Sequence, residues 1–149
     1  MEVKCQYETI ANCHPSDIWE IFKHIESWRR LTPVFGEAGW VHGEAWKQGS
    51  RFFMELNFPR RMDLESVVLK CNAPHEIVIL SHGSGMASEQ WIRFEGNRSG
   101  QTVITADQAL VGGDLADEVT IQNTMRHFFS SYFDGLNAAA EKHCMLIAL

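Results

Sequence analysis

The feature that most constrains this chain is a long apolar run near its C-terminus, from about residue 114 to residue 143. Apolar side chains recur there at steps of three and four, in two neighbouring stripes: Ile121, Met125, Phe128, Tyr132, Leu136 and Ala139 in the first, and Phe129, Phe133 and Ala140 in the second. The merged stripes form a face that is wider than a helix lying on a flat core needs. The pattern therefore predicts one long helix that covers a curved core. For each aromatic residue taken singly, an ordinary core position is the alternative.

The composition of this run supports the helix assignment at both ends. Asp114 and Asp117 supply an acidic start, and the sequence EKH at 141–143 supplies a polar end. Gly135 lies inside the run, where glycine costs up to about 1 kcal/mol of helix stability. We interpret Gly135 as a point of close packing or of a slight bend.

Length and composition bound the number of domains and the class of partner. A chain of 149 residues is most simply one domain, 1–149, and 45% hydrophobic with 21% charged residues is ordinary for a globular protein. Five Trp and nine Phe suggest that aromatic side chains line an interior. The net charge of −6 argues against a nucleic-acid partner, because phosphate binding relies on clustered Lys and Arg.

Compartment signals point to a reducing environment. No apolar run approaches about 18 residues, so we expect no membrane span. The opening residues start directly in a strand-like pattern, so we expect no signal peptide. The cysteines are far apart and form no CxxC pair, which predicts a cytoplasmic protein that uses its thiols as small apolar groups: Cys5, Cys13, Cys71 and Cys144.

The rest of the chain is mostly strand. Alternation predicts a first strand at 3–8, and Pro15 is well placed to start the first of two short helices, 15–24 and 26–31. The following segments predict strands joined by short turns, with 83–85 as a flexible link and a final hairpin turning at 96–100: 38–44, 49–58, 64–71, 76–82, 90–94 and 102–110. The apolar period of 64–71 is blurred and does not select one face. Sequential strands with short turns predict an antiparallel sheet.

This order of elements predicts an internal space. One helix cannot fill the hollow of a curved sheet of this size, and the small inward residues Ala106 and Thr102 would leave more room. We therefore expect a partly apolar pocket between the sheet and the long helix.

Five segments, in the right order, resemble a known fold family. The chain resembles the helix-grip superfamily, which includes START lipid-transfer domains, birch-pollen-allergen-like proteins and the polyketide cyclase/dehydrase family. The resemblance covers essentially all residues and is carried by HPSDIW at 14–19, IESWRRLTP at 25–33, WKQGSRF at 46–52, CNAPHEI at 71–77 and the hairpin at 94–105. It implies an α+β fold in which about seven antiparallel strands wrap round a long C-terminal helix, with two short helices after the first strand.

For function, the resemblance implies only the binding of a small apolar molecule, because fold does not fix chemistry. We expect no cofactor and no metal, since the histidines do not fall at metal-ligand spacings. The side chains that we expect to line the pocket are mainly apolar: Trp28, Leu31, Phe52, Met54, Leu56, Ile92, Phe94, Ile104, Met125, Phe129 and Phe133.

Three polar side chains join this candidate set. Gln90 and Gln108 share a face with apolar neighbours, so each amide must bond to backbone, water or ligand, and satisfied core amides are the alternative. Arg126 lies with Gln122 on the stripe of Phe129, where it would anchor a carboxylate or phosphate, or else reach the helix edge.

Asp107 and Glu65 have no visible catalytic partner, so neither receives a role.

Two further groups concern the surface. Arg60 and Arg61 lie in a loop near the expected pocket mouth, where they would steer an anionic ligand or form a solvated pair. Trp91, Arg93 and Glu95 should point to the outer face of the sheet. An exposed Trp is often an interface residue, so we predict a homodimer contact through this face.

Three functional hypotheses follow. The first is a non-enzymatic binding or carrier protein for a small hydrophobic molecule such as a lipid or polyketide. The second is a polyketide aromatase/cyclase or related lyase, in which Arg126, Gln108 or Tyr132 polarises a carbonyl. The third is a partner-binding module with a purely structural cavity.

Overall fold

A computed structural model describes residues 2–112 and 117–147 of the chain. The elements follow one another as β1 (Glu2–Ala11), α1 (Pro15–Phe22), one 3₁₀ turn (Ile25–Ser27), α2 (Trp28–Leu31), β2 (Phe35–His42), β3 (Arg51–Leu56), β4 (Met62–Asn72), β5 (Glu76–Gly83), β6 (Met86–Gly96), β7 (Thr102–Gly112) and α3 (Glu118–Ile147). The predicted order of one strand, two short helices, six strands and one long helix is confirmed.

The seven strands form one antiparallel sheet in the order β1-β7-β6-β5-β4-β3-β2. Each strand from β2 to β7 pairs with its chain neighbour, and β1 closes the sheet beside β7. The helix α3 packs against β1, α1 and α2. The α+β arrangement expected from the sequence is therefore the one observed.

Two indole groups fasten the short helices to the rest of the domain. The Nε1–H of Trp28 donates to the carbonyl oxygen of Phe22 at 2.7 Å, and that of Trp46 donates to the carbonyl oxygen of Lys23 at 2.7 Å. A helix end leaves its last carbonyl groups without helical partners. The two Trp residues satisfy such groups at the end of α1 while their rings remain buried.

Large aromatic side chains fill the part of the interior beneath α1 and α2. Ring centroids in this cluster lie 4.8 to 6.4 Å apart, and Phe22 contacts Trp28, Trp46 and Phe94. The members at this end are at most 2% exposed: Trp28, Tyr132, Phe22, Phe52, Phe94, Phe129 and Phe133. This half of the space between sheet and helix is packed solid.

The long helix begins and ends later in the sequence than predicted. It begins at Glu118 and continues to Ile147, past the polar residues that were expected to end it. Asp114 lies outside the described residues. The Asp117 carboxylate caps the helix by accepting from the backbone N–H of Thr120 at 3.0 Å, and that hydrogen bond lowers the pKa of Asp117.

The prediction of a flexible link at 83–85 is wrong. Gly83 pairs with Met86, and Ser84 and Gly85 both have positive φ (54° and 78°), so the chain makes a two-residue hairpin turn. The strand β6 consequently begins at Met86, four residues before its predicted start. In β4 the blurred period has a local cause, because the register shifts between Val68 and Lys70 at a bulge.

Candidate functional site

A cavity of about 460 Å³ lies at the other end of the interior, between the sheet and the first turns of α3. Its volume falls within the range of about 300–1,000 Å³ that is usual for small-molecule sites. The lining is mostly apolar and consists of Met54, Leu56, Phe58, Pro59, Arg60, Met62, Leu64, Ser81, Met86, Ala87, Ser88, Gln90, Gln108, Leu110, Thr120, Ile121, Thr124, Met125 and Phe128.

Methionine dominates the flexible part of this lining. Four of the six methionines of the chain contribute to it: Met54, Met62, Met86 and Met125. Because methionine is unbranched and polarisable, it adapts to ligands of irregular shape. The wall is therefore suited to apolar molecules of more than one outline.

Small polar side chains explain why the space lies here. Ser66, Ser81 and Ser88 follow one another across β4, β5 and β6 on the inner face, and Ser66 and Ser81 share a hydroxyl hydrogen bond of 2.7 Å. Opposite them α3 presents Thr120 and Thr124. Short side chains on both walls leave the volume unfilled.

The small residues that were expected to create room do not border the cavity. Ala106 and Thr102 are fully buried, and the Tyr7 ring, from the strand position opposite Ala106, stacks with the rings of Phe129 and Phe133 at 6.2 and 5.9 Å. These rings fill the space above Ala106. Thr102 instead donates its hydroxyl to the carbonyl oxygen of Cys13 at 2.7 Å.

A pair of amides forms the polar part of the inner wall. Gln90 and Gln108 occupy directly opposed positions of β6 and β7, and Nε2 of Gln90 donates to Oε1 of Gln108 at 3.2 Å. Both side chains also line the cavity. The pair uses one donor and one acceptor, so the opposite atoms of the two amides are available to a ligand.

The loop between β3 and β4 forms the cavity mouth. Phe58, Pro59 and Arg60 contribute to the lining, and the Phe58 ring lies 5.0 Å from the ring of His127 on α3. Asn57 anchors the loop by donating to the carbonyl oxygens of Pro33 and Phe35 at 3.4 and 3.3 Å. The contact between Phe58 and His127 bridges the two walls at this edge.

Comparison with known proteins identifies the architecture. No protein-family profile matches the chain, and no curated protein matches it. Among solved structures, Ara h 8.0201 superposes with a TM-score of 0.77 at 10% identity over 95% of this chain and 99% of that one. A START superfamily protein from Mycobacterium smegmatis gives 0.82 at 10% identity over 93% and 97%. The Zhui aromatase/cyclase from Streptomyces sp. R1128 gives 0.82 at 8% identity over 97% and 96%.

The chain has the helix-grip fold, which it shares with these three structures. At these identities the similarity establishes fold, and function has to be argued from the site. In this fold α3 is the long helix against which the sheet packs, and the cavity lies under the N-terminal half of α3.

Five of the residues predicted to bind the ligand border the cavity: Met54, Leu56, Gln90, Gln108 and Met125. Their contact with a ligand stays a prediction. Eight others lie outside the lining and pack in or beside the aromatic end of the core: Trp28, Leu31, Phe52, Ile92, Phe94, Ile104, Phe129 and Phe133. Apolarity and inward direction identify interior residues, but they do not distinguish a wall of a cavity from a packed core.

Arg126 is not a cavity residue. It is exposed on α3, on the side where its charge acts on Cys5 of β1, and it is absent from the lining. Its neighbour Gln122 donates to the carbonyl oxygen of Lys4 at 3.0 Å. Gln122 thus contacts β1, and Arg126 lies exposed on the surface of α3.

Several lining residues were missed by sequence reasoning. Met86 and Ser88 lie between the expected link at 83–85 and the expected strand at 90–94 and were given no element, although they continue the inward alternation of Gln90 and Ile92. Extending that period of two backwards from Gln90 to the turn at 83–85 would have identified them.

The residues considered for catalysis do not come together. Tyr132 is fully buried in the aromatic cluster, where burial raises the pKa of its hydroxyl well above the ordinary 10.0, and that hydroxyl has no hydrogen-bond partner among the described residues. Asp107 forms an ion pair with Arg93 at 3.1 Å, and Glu65 lies beside Arg51. Of the three groups proposed to polarise a carbonyl, Gln108 alone borders the cavity.

Residues 2–112 and 117–147 contain no group of three or more His, Cys, Asp or Glu side chains placed to hold a metal ion. None of their helices combines the length and the apolar character that crossing a bilayer requires.

The outer face of the sheet holds the predicted Trp91 cluster. The Trp91 ring lies 5.1 Å from the Arg93 guanidinium and 6.0 Å from Nζ of Lys70, and its Nε1–H donates to Glu89 at 2.7 Å. The chain's own cations thus cover part of this indole. The homodimer contact through this face stays a prediction.

Proposed function

We propose that this protein binds a small, predominantly apolar molecule in the cavity beneath the N-terminal half of α3 and carries it without chemical change. The observation that supports this most is the uneven filling of the interior. One end is packed with fully buried rings, whereas the other end holds about 460 Å³ behind a methionine-rich wall. A concave, mostly apolar space of this size with a few polar groups is typical of a small-molecule site.

The chemistry of the lining supports the class of ligand. The wall is apolar apart from a few hydroxyl groups, two amides and one arginine. Burial of ligand methylenes in such a wall contributes about 0.8 kcal/mol each, which is roughly fourfold in affinity per methylene. The amides of Gln90 and Gln108 would orient the molecule. All four cysteines carry free thiols, which supports a reducing compartment such as the cytoplasm.

A homologous series of linear alcohols tests this proposal. Displacement of the neutral probe N-phenyl-1-naphthylamine should show affinity rising by roughly fourfold per added methylene until the cavity is filled, and then levelling off. A plateau is expected because the volume is fixed. Failure of the whole series to bind would contradict the proposal.

Two neighbouring substitutions on α3 locate the site. Thr124 faces the cavity and Asn123 is exposed, so Thr124→Trp fills the space and Asn123→Trp adds the same side chain outside it. We expect Thr124→Trp to weaken alcohol binding by at least about tenfold and Asn123→Trp to leave it unchanged. Equal binding by both variants would place the alcohols elsewhere.

A further inference from the structure

Arg60 is the charged member of the described cavity lining, in which no carboxylate takes part. It lies on the β3–β4 loop beside Phe58 and Pro59, at the mouth. A cation at the entrance and an apolar wall behind it form an amphipathic site.

The two adjacent arginines of this loop differ in their partners. Arg61 forms ion pairs with Glu55 and with Asp63, the latter at 3.4 Å. Arg60, in contrast, has no carboxylate of a described residue within 4.0 Å. Arg60 is therefore a cation beside the cavity that the acidic residues of the described part of the chain leave unpaired, in a protein whose net charge is −6.

From this geometry, and resting on the proposed function, we propose that the ligand is an anionic amphiphile: an apolar chain that enters the cavity and one carboxylate or similar anionic head that Arg60 binds at the mouth. The planar guanidinium presents paired N–H donors that match the two oxygens of a carboxylate. The tail then lies against Met54, Met125 and Phe128, and the anionic head stays in the wetter loop region, where its desolvation is least costly.

Three ten-carbon probes separate the effect of head charge from that of the tail. Decanoate, 1-decanol and decylamine have matched tails and carry a negative, neutral and positive head at pH 7. In the wild-type protein we expect decanoate to bind about five- to tenfold more tightly than decanol, and decylamine to bind most weakly. The preference for decanoate should shrink between 20 and 300 mM salt, because exposed charges are screened.

Variants of the loop assign the preference to one residue. Arg60→Gln should remove the difference between decanoate and decanol, and Arg60→Glu should reverse the order of decanoate and decylamine. Arg61→Gln, which removes the same charge one position along, should keep most of the wild-type preference.

The outcomes distinguish this inference from the function on which it rests. If decanol binds but wild-type protein shows no preference for decanoate, or if Arg60→Gln keeps the full preference, the anionic head is ruled out while the apolar cavity stands. If none of the three probes binds, the proposed function fails and the inference fails with it.

Discussion

Gly135 of α3 packs directly against the backbone of Leu31 at the end of α2. A Cβ atom at Gly135 would overlap the Leu31 carbonyl oxygen and lie 2.7 Å from its carbonyl carbon. Of the two interpretations drawn from the sequence, close packing is therefore correct. This contact holds the long helix against the short one at the filled end of the domain, and the cavity lies two to four turns towards the N-terminus of α3.

Gly135→Ala should destabilise the protein even though alanine is the better helix former. The overlap with backbone atoms costs about 1–3 kcal/mol or more, against about 1 kcal/mol gained in helix propensity. Because the overlap is with two backbone atoms, we expect the upper end of that cost, a net loss of about 2 kcal/mol, and a downward shift in Tm of about 4–8 °C at roughly 2–4 °C per kcal/mol. Ala138 is exposed on the same helix, so Ala138→Gly is a control that changes helix propensity alone. It should lower the free energy of unfolding by about 1 kcal/mol. An increase in stability for Gly135→Ala would contradict the contact.

Tyr132→Phe should raise stability, because it removes a buried hydroxyl without a partner among the described residues and keeps the ring contacts with Phe35 and Phe133 at 4.8 Å. The expected change in unfolding free energy at pH 7 is about 1 kcal/mol. Urea titration of both proteins measures it.

The same substitution has a predicted pH dependence. Burial raises the folded-state pKa of Tyr132 above 10.0, so above that pH the unfolded chain loses a proton that the folded protein keeps. The free energy of unfolding of the wild-type protein therefore falls as the pH rises above 10. The gain in unfolding free energy from Tyr132→Phe should therefore grow from pH 9 to pH 11, and a gain that stays constant or shrinks would argue against the burial of this hydroxyl.

The amide pair of the cavity wall should show energetic coupling. Gln90→Leu leaves Oε1 of Gln108 without its donor, whereas the double substitution to leucine removes both groups. A double-mutant cycle should give a coupling free energy of about 0.5–1.5 kcal/mol. Additive single effects would show that the hydrogen bond does not form in solution.

His127→Ala should open the mouth without altering the wall, because His127 contacts Phe58 but is not part of the lining. Removing a ring contact worth about 1 kcal/mol should speed both entry and release by roughly fivefold and leave Kd nearly unchanged. Stopped-flow fluorescence with N-phenyl-1-naphthylamine separates the two rates. A changed Kd at constant association rate would show that this contact is not a gate.

The fold could be predicted from the sequence because its signals are local and periodic. The stripes of α3, the Pro15 helix start and the alternation of the strands each depend on residues close together in the chain. The errors occurred where a local signal was ambiguous. Glycine-rich 83–85 was interpreted as flexible, although positive φ at Ser84 and Gly85 makes it a tight turn.

The site could be predicted only in part, because it depends on what remains unfilled. Phe52, Phe94 and Met54 have the same apolar, inward character, yet Met54 borders the cavity and the two Phe residues do not. The difference arises from side chains distant in sequence. Phe22 and Trp46 fill one end, and Ser81 opposite Thr124 leaves the other open. Such complementary volumes have no signature within a single segment.

The methionine methyl groups provide the most direct test of the central claim, because four of them line the cavity and Met145 is 71% exposed at the far end of α3. With ¹³C-methyl-methionine labelling, titration with 1-decanol should shift the resonances of Met54, Met62, Met86 and Met125 together and leave Met145 unchanged. Saturation that leaves those four resonances in place, or that moves Met145 alone, would contradict a ligand-binding cavity beneath α3.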